Sequence, residues 1–277
     1  MTPVVVGVDG SEPAATAAVW AAREAALRRC PLHVVYACDW PLLGTSMRTA
    51  PMVSARAEAD DAVDAAVRRV RATIPGLAVR GEVRTGRPGP LLAEASRHAE
   101  LLVVGSHGRG WVGGLVLGTT SRYLARHVVC PLIVMPPHAV DATAAGPVVV
   151  GTDGRPDSDA AVAFALREAD LRRVPVLAIQ AGRAPRDTAV DAASAAAEED
   201  RLLAESLSAL SAGHPDVVLR RRVVHRPAAR TLVDAVHGAD LLVVGAGKAG
   251  LRGLLGTVGA QVLHDCPTAV ALVRREP

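Results

Sequence analysis

The sequence repeats itself. Gly7, Asp9, Gly10, Arg23, Glu24, Leu27, Arg28, Arg29 and Pro31 recur, in the same order and at one constant spacing, as Gly151, Asp153, Gly154, Arg167, Glu168, Leu171, Arg172, Arg173 and Pro175. Further along, AELLVVG (Ala99 to Gly105) returns as ADLLVVG (Ala239 to Gly245), and Cys130-Pro131 returns as Cys266-Pro267. At roughly 100 to 200 residues per domain, 277 residues suit two. The boundaries fall at 1–138 and 146–277, where PPHAVDATAAG after Met135 mixes Pro, Gly and small residues without periodicity.

Each half alternates strand and helix patterns. Pro3 to Asp9 (PVVVGVD) is a continuous apolar run, as in a parallel strand buried on both faces. Ser11 offers an N-cap, with Glu12 and Pro13 in the first turn, to a helix whose Ala15, Ala18, Val19, Ala22, Ala26 and Leu27 form an apolar stripe. Strands follow near 32–38 and 78–85 around a helix near 53–74. A helix at 90–98, a strand at 101–105, a helix at about 119–126 and a strand at 132–135 complete the unit. Half of the residues are hydrophobic, yet the chain has just 3 Trp, 2 Tyr and 1 Phe, so Val, Leu and Ala must build the core. The expected fold class is α/β: two tandem, doubly wound, five-stranded parallel-sheet domains.

Charge and hydropathy narrow the function classes. The net charge of +3 comes from scattered basic residues, without the basic stripe and stacking aromatics of a nucleic-acid binder. No run approaches the ~18 consecutive apolar residues of a membrane span. The start, MTPVVVGVDGSEP, lacks the charged and apolar regions of a signal peptide, so a cytoplasmic protein is expected. Cys30, Cys38, Cys130 and Cys266 form no CxxC pair and are expected to be small buried apolar residues.

Ligands of such sheets sit beyond the carboxyl ends of the strands, where the strand order reverses. Two segments of the first half end there with unusual residues: Asp9-Gly10-Ser11, and Gly105-Ser106-His107-Gly108-Arg109-Gly110 followed by Gly118-Thr119-Thr120-Ser121. Glycines let the backbone approach a phosphate, and the N–H groups and hydroxyls of a helix start favour an anion. Glycines after a strand can also simply turn the chain. The spacing Gly105-x2-Gly108-x9-Gly118-Thr119 is more specific than that.

With VDGSE at the end of strand one, this spacing resembles the nucleotide-binding members of the universal stress protein family, whose motif is G-x2-G-x9-G-[ST]. The resemblance covers essentially the whole chain as two tandem domains. It implies a sheet of order 3-2-1-4-5 that binds ATP or a related adenine nucleotide, with Mg2+ carried in alongside. Carried over by motif, Val8 and Asp9 would flank adenine and ribose, and Ala37 would offer backbone groups to the adenine. Val104, Gly105, His107, Gly108 and Arg109 would lie along ribose and phosphates. Gly118, Thr119, Thr120 and Ser121 would hold phosphate oxygens. In the second half the counterparts are Asp153, Gly245, Gly247, Gly256 and Thr257. The resemblance implies a sensor or regulator of the stress response with at most weak ATPase activity, working through a regulatory protein the sequence does not name. The rival reading is a partner-binding module with vestigial loops.

Competing motifs fare worse. Gly245-Ala246-Gly247-Lys248-Ala249-Gly250 matches a dinucleotide fingerprint, but it follows the fourth strand of its repeat, and the acid about 20 residues on, Asp265, precedes a strand rather than ending one. A Walker loop fails because Ala249 follows Gly247-Lys248 and Leu242 stands where its first glycine belongs. There is no G-x-S-x-G elbow, and no two histidines have helical metal-ligand spacing. No catalytic set is assigned; His107 beside a phosphate is expected to donate a hydrogen bond.

The halves differ in ways that predict a weaker or altered second site. Arg155 replaces Ser11, which puts a long cation at the expected helix start, and His225 aligns with Gly86. Ten residues separate Gly245 from Gly256, against twelve between Gly105 and Gly118, and Gly259 matches Ser121. The last strands, 131–135 and 267–273, read as sheet edges that need covering. The expectation is an intrachain pseudo-dimer about these strands; a homodimer, the commonest symmetric assembly, is left open.

Overall fold

In the computed structural model, residues 1–39, 50–108, 118–136, 146–182, 192–246 and 257–274 are described. The chain divides into two compact units, Met1–His138 and Ala139–Pro277. The first runs β1 (Val4–Val8), α1 (Glu12–Leu27), β2 (Leu32–Cys38), α2 (Ala50–Thr73), β3 (Val79–Thr85), α3 (Pro88–Ala95), a 3-10 turn (Ser96–His98), β4 (Leu101–Gly105), α4 (Thr119–His127) and β5 (Leu132–Met135). The second runs β6 (Val148–Thr152), α5 (Asp159–Arg172), β7 (Val176–Ala181), α6 (Ala192–Ser211), β8 (Leu219–Val224), α7 (Ala228–Ala235), β9 (Leu241–Gly245), α8 (Thr257–Asp265) and β10 (Val270–Val273).

Strand order in the first unit is β3-β2-β1-β4-β5, and every pair is parallel. The second has the same order, β8-β7-β6-β9-β10. Helix α1 packs on α2 and α3 on α4, with α5 on α6 and α7 on α8 in the second unit. This is the doubly wound α/β architecture, and it follows from the strand composition. Val4, Val5 and Val6 of β1 and Leu101 to Val104 of β4 are buried because parallel strands are covered on both faces. Strand β3 (VRGEVRT) lies at the edge, and each of its positions is half-buried or exposed.

Local signals place the helices. Ser11 adopts an extended conformation and accepts a hydrogen bond from Ala14 N, with Pro13 in the first turn. Helix α3 starts at Pro88, two residues before the expected position, because Pro suits a first helical turn. Both α1 and α5 carry a buried ion pair at (i, i+4). Arg28 pairs with Glu24 and Arg172 with Glu168, and all four side chains are less than one-tenth exposed.

The two units part at the turn after the first strand. Helix α1 begins at Glu12, but α5 begins only at Asp159, so Arg155 lies before the helix rather than at its start. The cause is a pair of hydroxyls with no counterpart in the first unit. Thr152 Oγ1, where β1 has Val8, meets Ser158 Oγ, where α1 has Ala14, at 2.8 Å. Ser158 Oγ donates to the Arg155 carbonyl at 2.8 Å, and Gly154 N donates to Thr152 Oγ1 at 3.0 Å. These bonds hold residues 154–158 in a turn and delay the helix.

Cysteines 30 and 266 are buried, whereas 38 and 130 are half-buried, so the expectation of four buried thiols holds for two. Burial pushes the Cys130 thiol up to about 12 and that of Cys266 up to about 11, from an ordinary 9.0. The folded chain therefore keeps protons that the unfolded chain releases. The contribution to stability is complete below pH 9.0 and declines as pH rises towards 11. The urea midpoint is expected to fall over this range in the wild type, and less so with Cys130→Ala and Cys266→Ala combined. Equal pH slopes for the two proteins would contradict this. Among the described residues, no helix is long and apolar enough to cross a membrane.

Candidate functional site

At the carboxyl edge of the first sheet lies a cavity of ≈ 470 Å³, within the usual range for small-molecule sites. It forms where β1 and β4 are neighbours and the helices that follow them have different partners, α1 packing on α2 and α4 on α3, at the switch point of the sheet. Of the residues expected there, Val8, Asp9, Ala37, Val104, Gly105, His107, Gly108, Gly118, Thr119, Thr120 and Ser121 all line it. Arg109 lies outside the described residues.

Asp9 closes its own turn. Its Oδ1 accepts from Ser11 N at 3.0 Å and from Ser11 Oγ at 2.6 Å, and Gly10 takes the left-handed conformation (φ 80°) that the turn requires. The carboxylate is thereby fixed in orientation. The β4–α4 segment comes close against it, since a Cβ at Gly108 would lie 2.4 Å from Asp9 Oδ2. A glycine is the residue that permits this approach.

The far wall is built by Ser106 and the start of α4. Gly118 is the N-cap and donates to the Ser106 carbonyl at 2.9 Å, and a Cβ there would lie 3.2 Å from that same oxygen. The buried Ser106 hydroxyl lies 2.9 Å from His107 Nδ1 and holds the ring in place. Ser121 departs from its expected use. Its hydroxyl donates to the Gly105 carbonyl at 2.9 Å, so it braces α4 against the end of β4.

Sequence reasoning missed Gly7, Ala14, Tyr36, Pro88 and Leu92, which also line the cavity. One signal was available. Gly7 interrupts a run of valines because Leu92 of α3 crosses it, and a Cβ at Gly7 would lie 2.7 Å from Leu92 Cδ1. The repeat has the same contact between Gly151 and Leu232, at 2.9 Å.

The second unit has its own cavity at the corresponding edge, of ≈ 390 Å³. Asp153 and Gly245 line it, together with Thr152, Asp157, Ser158, Val258 and Gly259. Gly247 and Gly256 lie outside the described residues, and Thr257 is the first residue of α8. Asp153 repeats the Asp9 turn, with Oδ1 accepting from Arg155 N at 3.1 Å. His225 does not enter the cavity. Strand register sets Arg84 against Ala37 and Val224 against Ala181, so His225 corresponds to Thr85 rather than Gly86. Its Nε2 lies 3.5 Å from Glu199 Oε2 of α6.

Comparison with known proteins places the chain in a family and supports its fold. The universal stress protein family matches residues 1–136 and again 145–274. A universal stress protein of Mycobacterium tuberculosis is 36% identical over 98% of this chain and 97% of its own. Another, of Mycolicibacterium smegmatis, is 33% identical over 98% and 96%. The crystal structure of a universal stress protein from Archaeoglobus fulgidus is 15% identical but shares the fold, with a TM-score of 0.74 over 99% of this chain and 96% of that one. Matched in both halves and along nearly its whole length, the chain belongs to the universal stress protein family.

Proposed function

We propose that the cavity of the first unit binds ATP or a related adenine nucleotide, and that the protein acts as a nucleotide-dependent regulator in the stress response. The observation that carries this reading is convergence. Asp9, the Gly105–Gly108 segment and the Gly118–Thr120 helix start come from separate parts of the chain and line one cavity.

Each part has a matching role. The apolar side, with Val8, Ala37, Val104 and Leu92, suits a purine. The fixed Asp9 carboxylate suits the donor hydroxyls of a ribose. The α4 N-terminus, where Gly118 makes no side-chain cap bond, supplies N–H groups, and Thr119 and Thr120 supply hydroxyls, for phosphate oxygens. Mg2+ is brought in by the nucleotide. Asp9, Tyr36 and His107 are the titratable side chains that line the cavity among the described residues, and Asp9 and His107 are held by neighbours. That supports a binding protein with at most slow hydrolysis. A cytoplasmic location, a homodimer and a regulatory partner protein belong to the same proposal.

Asp9→Ala is expected to weaken ATP binding by about 1 to 3 kcal/mol, the worth of a charged hydrogen bond. Competition against a fluorescent ATP analogue reads this as a rise in Kd. An unchanged Kd would mean that Asp9 serves its own turn and no ligand.

A further inference from the structure

Strands β3 and β8 lie at corresponding edges of the two sheets and carry different charges on the same frame. In β3, Arg80 is set beside His33 and Glu82 beside Val35; in β8, Arg220 is set beside Leu177 and Arg222 beside Ile179. Val35 pairs with Gly7 as Ile179 pairs with Gly151, so Arg222 stands where the first unit has Glu82. Glu82 offsets its neighbours, with its carboxylate 3.2 Å from Arg80 and 3.7 Å from Arg84. Strand β8 (LRRRVV) has no acid. Arg221 turns to α6, where Asp200 meets it at 2.8 Å. Arg220 and Arg222 alternate with Arg221 along the strand and so project from the other face. Both are exposed, and neither forms an ion pair or hydrogen bond among the described residues. On that face α7 packs over β6 and β7.

No strand of the unit lies beyond β8, so one side of its backbone has N–H and C=O groups without a ladder partner. An extended segment with acids at alternate positions satisfies both features. Its main chain continues the ladder, and its carboxylates face Arg220 and Arg222. A second copy of this chain does not fit, because β8 against β8 sets arginine against arginine, and β3 brings two arginines for one acid. A nucleic acid would meet the arginines but leave the main-chain groups unused. It would also find Val218, 58% exposed just before the strand, and no aromatic residue in β8 on which a base could stack. We infer that the β8 edge is a docking site for an acidic, extended segment of a partner protein. No residue of β8 lines either cavity, so the inference does not depend on the nucleotide reading.

The probe is a fluorescein-labelled heptapeptide of alternating Glu and Val, titrated with the full chain and read by anisotropy. Saturable binding is expected. Arg220→Glu combined with Arg222→Glu turns two attractions into two repulsions and should weaken it by at least about tenfold. The same variant should bind the matching Lys-Val peptide, which also shows that it is folded. Arg80→Glu combined with Arg84→Glu, on β3, should leave binding of the acidic peptide unchanged. Successive residues of a strand direct their amides to opposite edges. Of two peptides N-methylated at the Glu or at the Val nitrogens, one should therefore bind more weakly by a similar factor, with its charge intact. The inference is overturned by no saturable binding, by binding that survives the reversal on β8, or by an equal loss from the reversal on β3. Undiminished binding of both methylated peptides, or equally tight binding of an oligothymidylate with four phosphates, overturns it too. Nucleotide is absent from the peptide titrations, so their outcome is separate from that of the ATP site.

Discussion

Gly118→Val is expected to lower the affinity of the chain for ATP by about 100-fold while leaving the fold intact. Gly118 has φ −60° and ψ 153°, an extended conformation open to valine, so the substitution acts through volume rather than through backbone strain. The first added carbon would already lie 3.2 Å from the Ser106 carbonyl oxygen and 3.7 Å from His107 Cα. The branched methyls must then press apart the two segments that form the phosphate side of the cavity. Overpacking of this kind costs ~1 to 3 kcal/mol, and moving amide donors away from an anion adds a similar amount. Thermal unfolding of Gly118→Val should remain cooperative, with Tm lowered by no more than this overpacking implies. A large drop in Tm together with lost binding would show that the residue serves the fold instead.

The second large effect concerns stability. Arg28→Met is expected to destabilise the first unit by about 3 to 5 kcal/mol, because it leaves Glu24 buried without the guanidinium that faces it one helical turn away. The side chains of Glu24 and Arg28 are 3% and 8% exposed, so solvent screens the pair little. Combining Arg28→Met with Glu24→Leu should restore most of the loss, since an apolar pair of similar volume carries no desolvation penalty. Urea unfolding of the two variants reads the difference. Equal destabilisation by the single and double variants would show that packing, and not charge, dominates. The same pair in the second unit, Glu168 and Arg172, predicts a parallel result there.

The fold was legible because the constraints on it are local and doubled. Apolar runs such as Val4–Val8 and Leu101–Gly105, a capping serine, a proline at a helix start and the recurrence of each in the second half all point the same way. Most of the expected lining of the first cavity was legible too, since glycine spacing after a strand and a hydroxyl-bearing helix start both mark the carboxyl edge. Three things were not. The place of Leu92 over Gly7 depends on how α3 crosses the sheet, which neither segment reveals by itself. The hydrogen bond from Ser121 to Gly105 depends on the angle between α4 and β4. The late start of α5 comes from the side-chain contact of Thr152 with Ser158, whose meaning appears once both are seen buried beside the same cavity. His225 illustrates a further limit. A slip of one residue in aligning the two halves set His225, which faces Glu199 of α6, against Gly86 instead of Thr85.

In the proposed function the first unit holds the ATP site of the chain. Calorimetric titration of the wild-type chain and of Gly118→Val with ATP, side by side, tests it most directly. Saturation near one ATP per chain is expected for the wild type, with no comparable heat for the variant. Two equal sites per chain, no saturable binding in the wild type, or equal binding by the two proteins would contradict it.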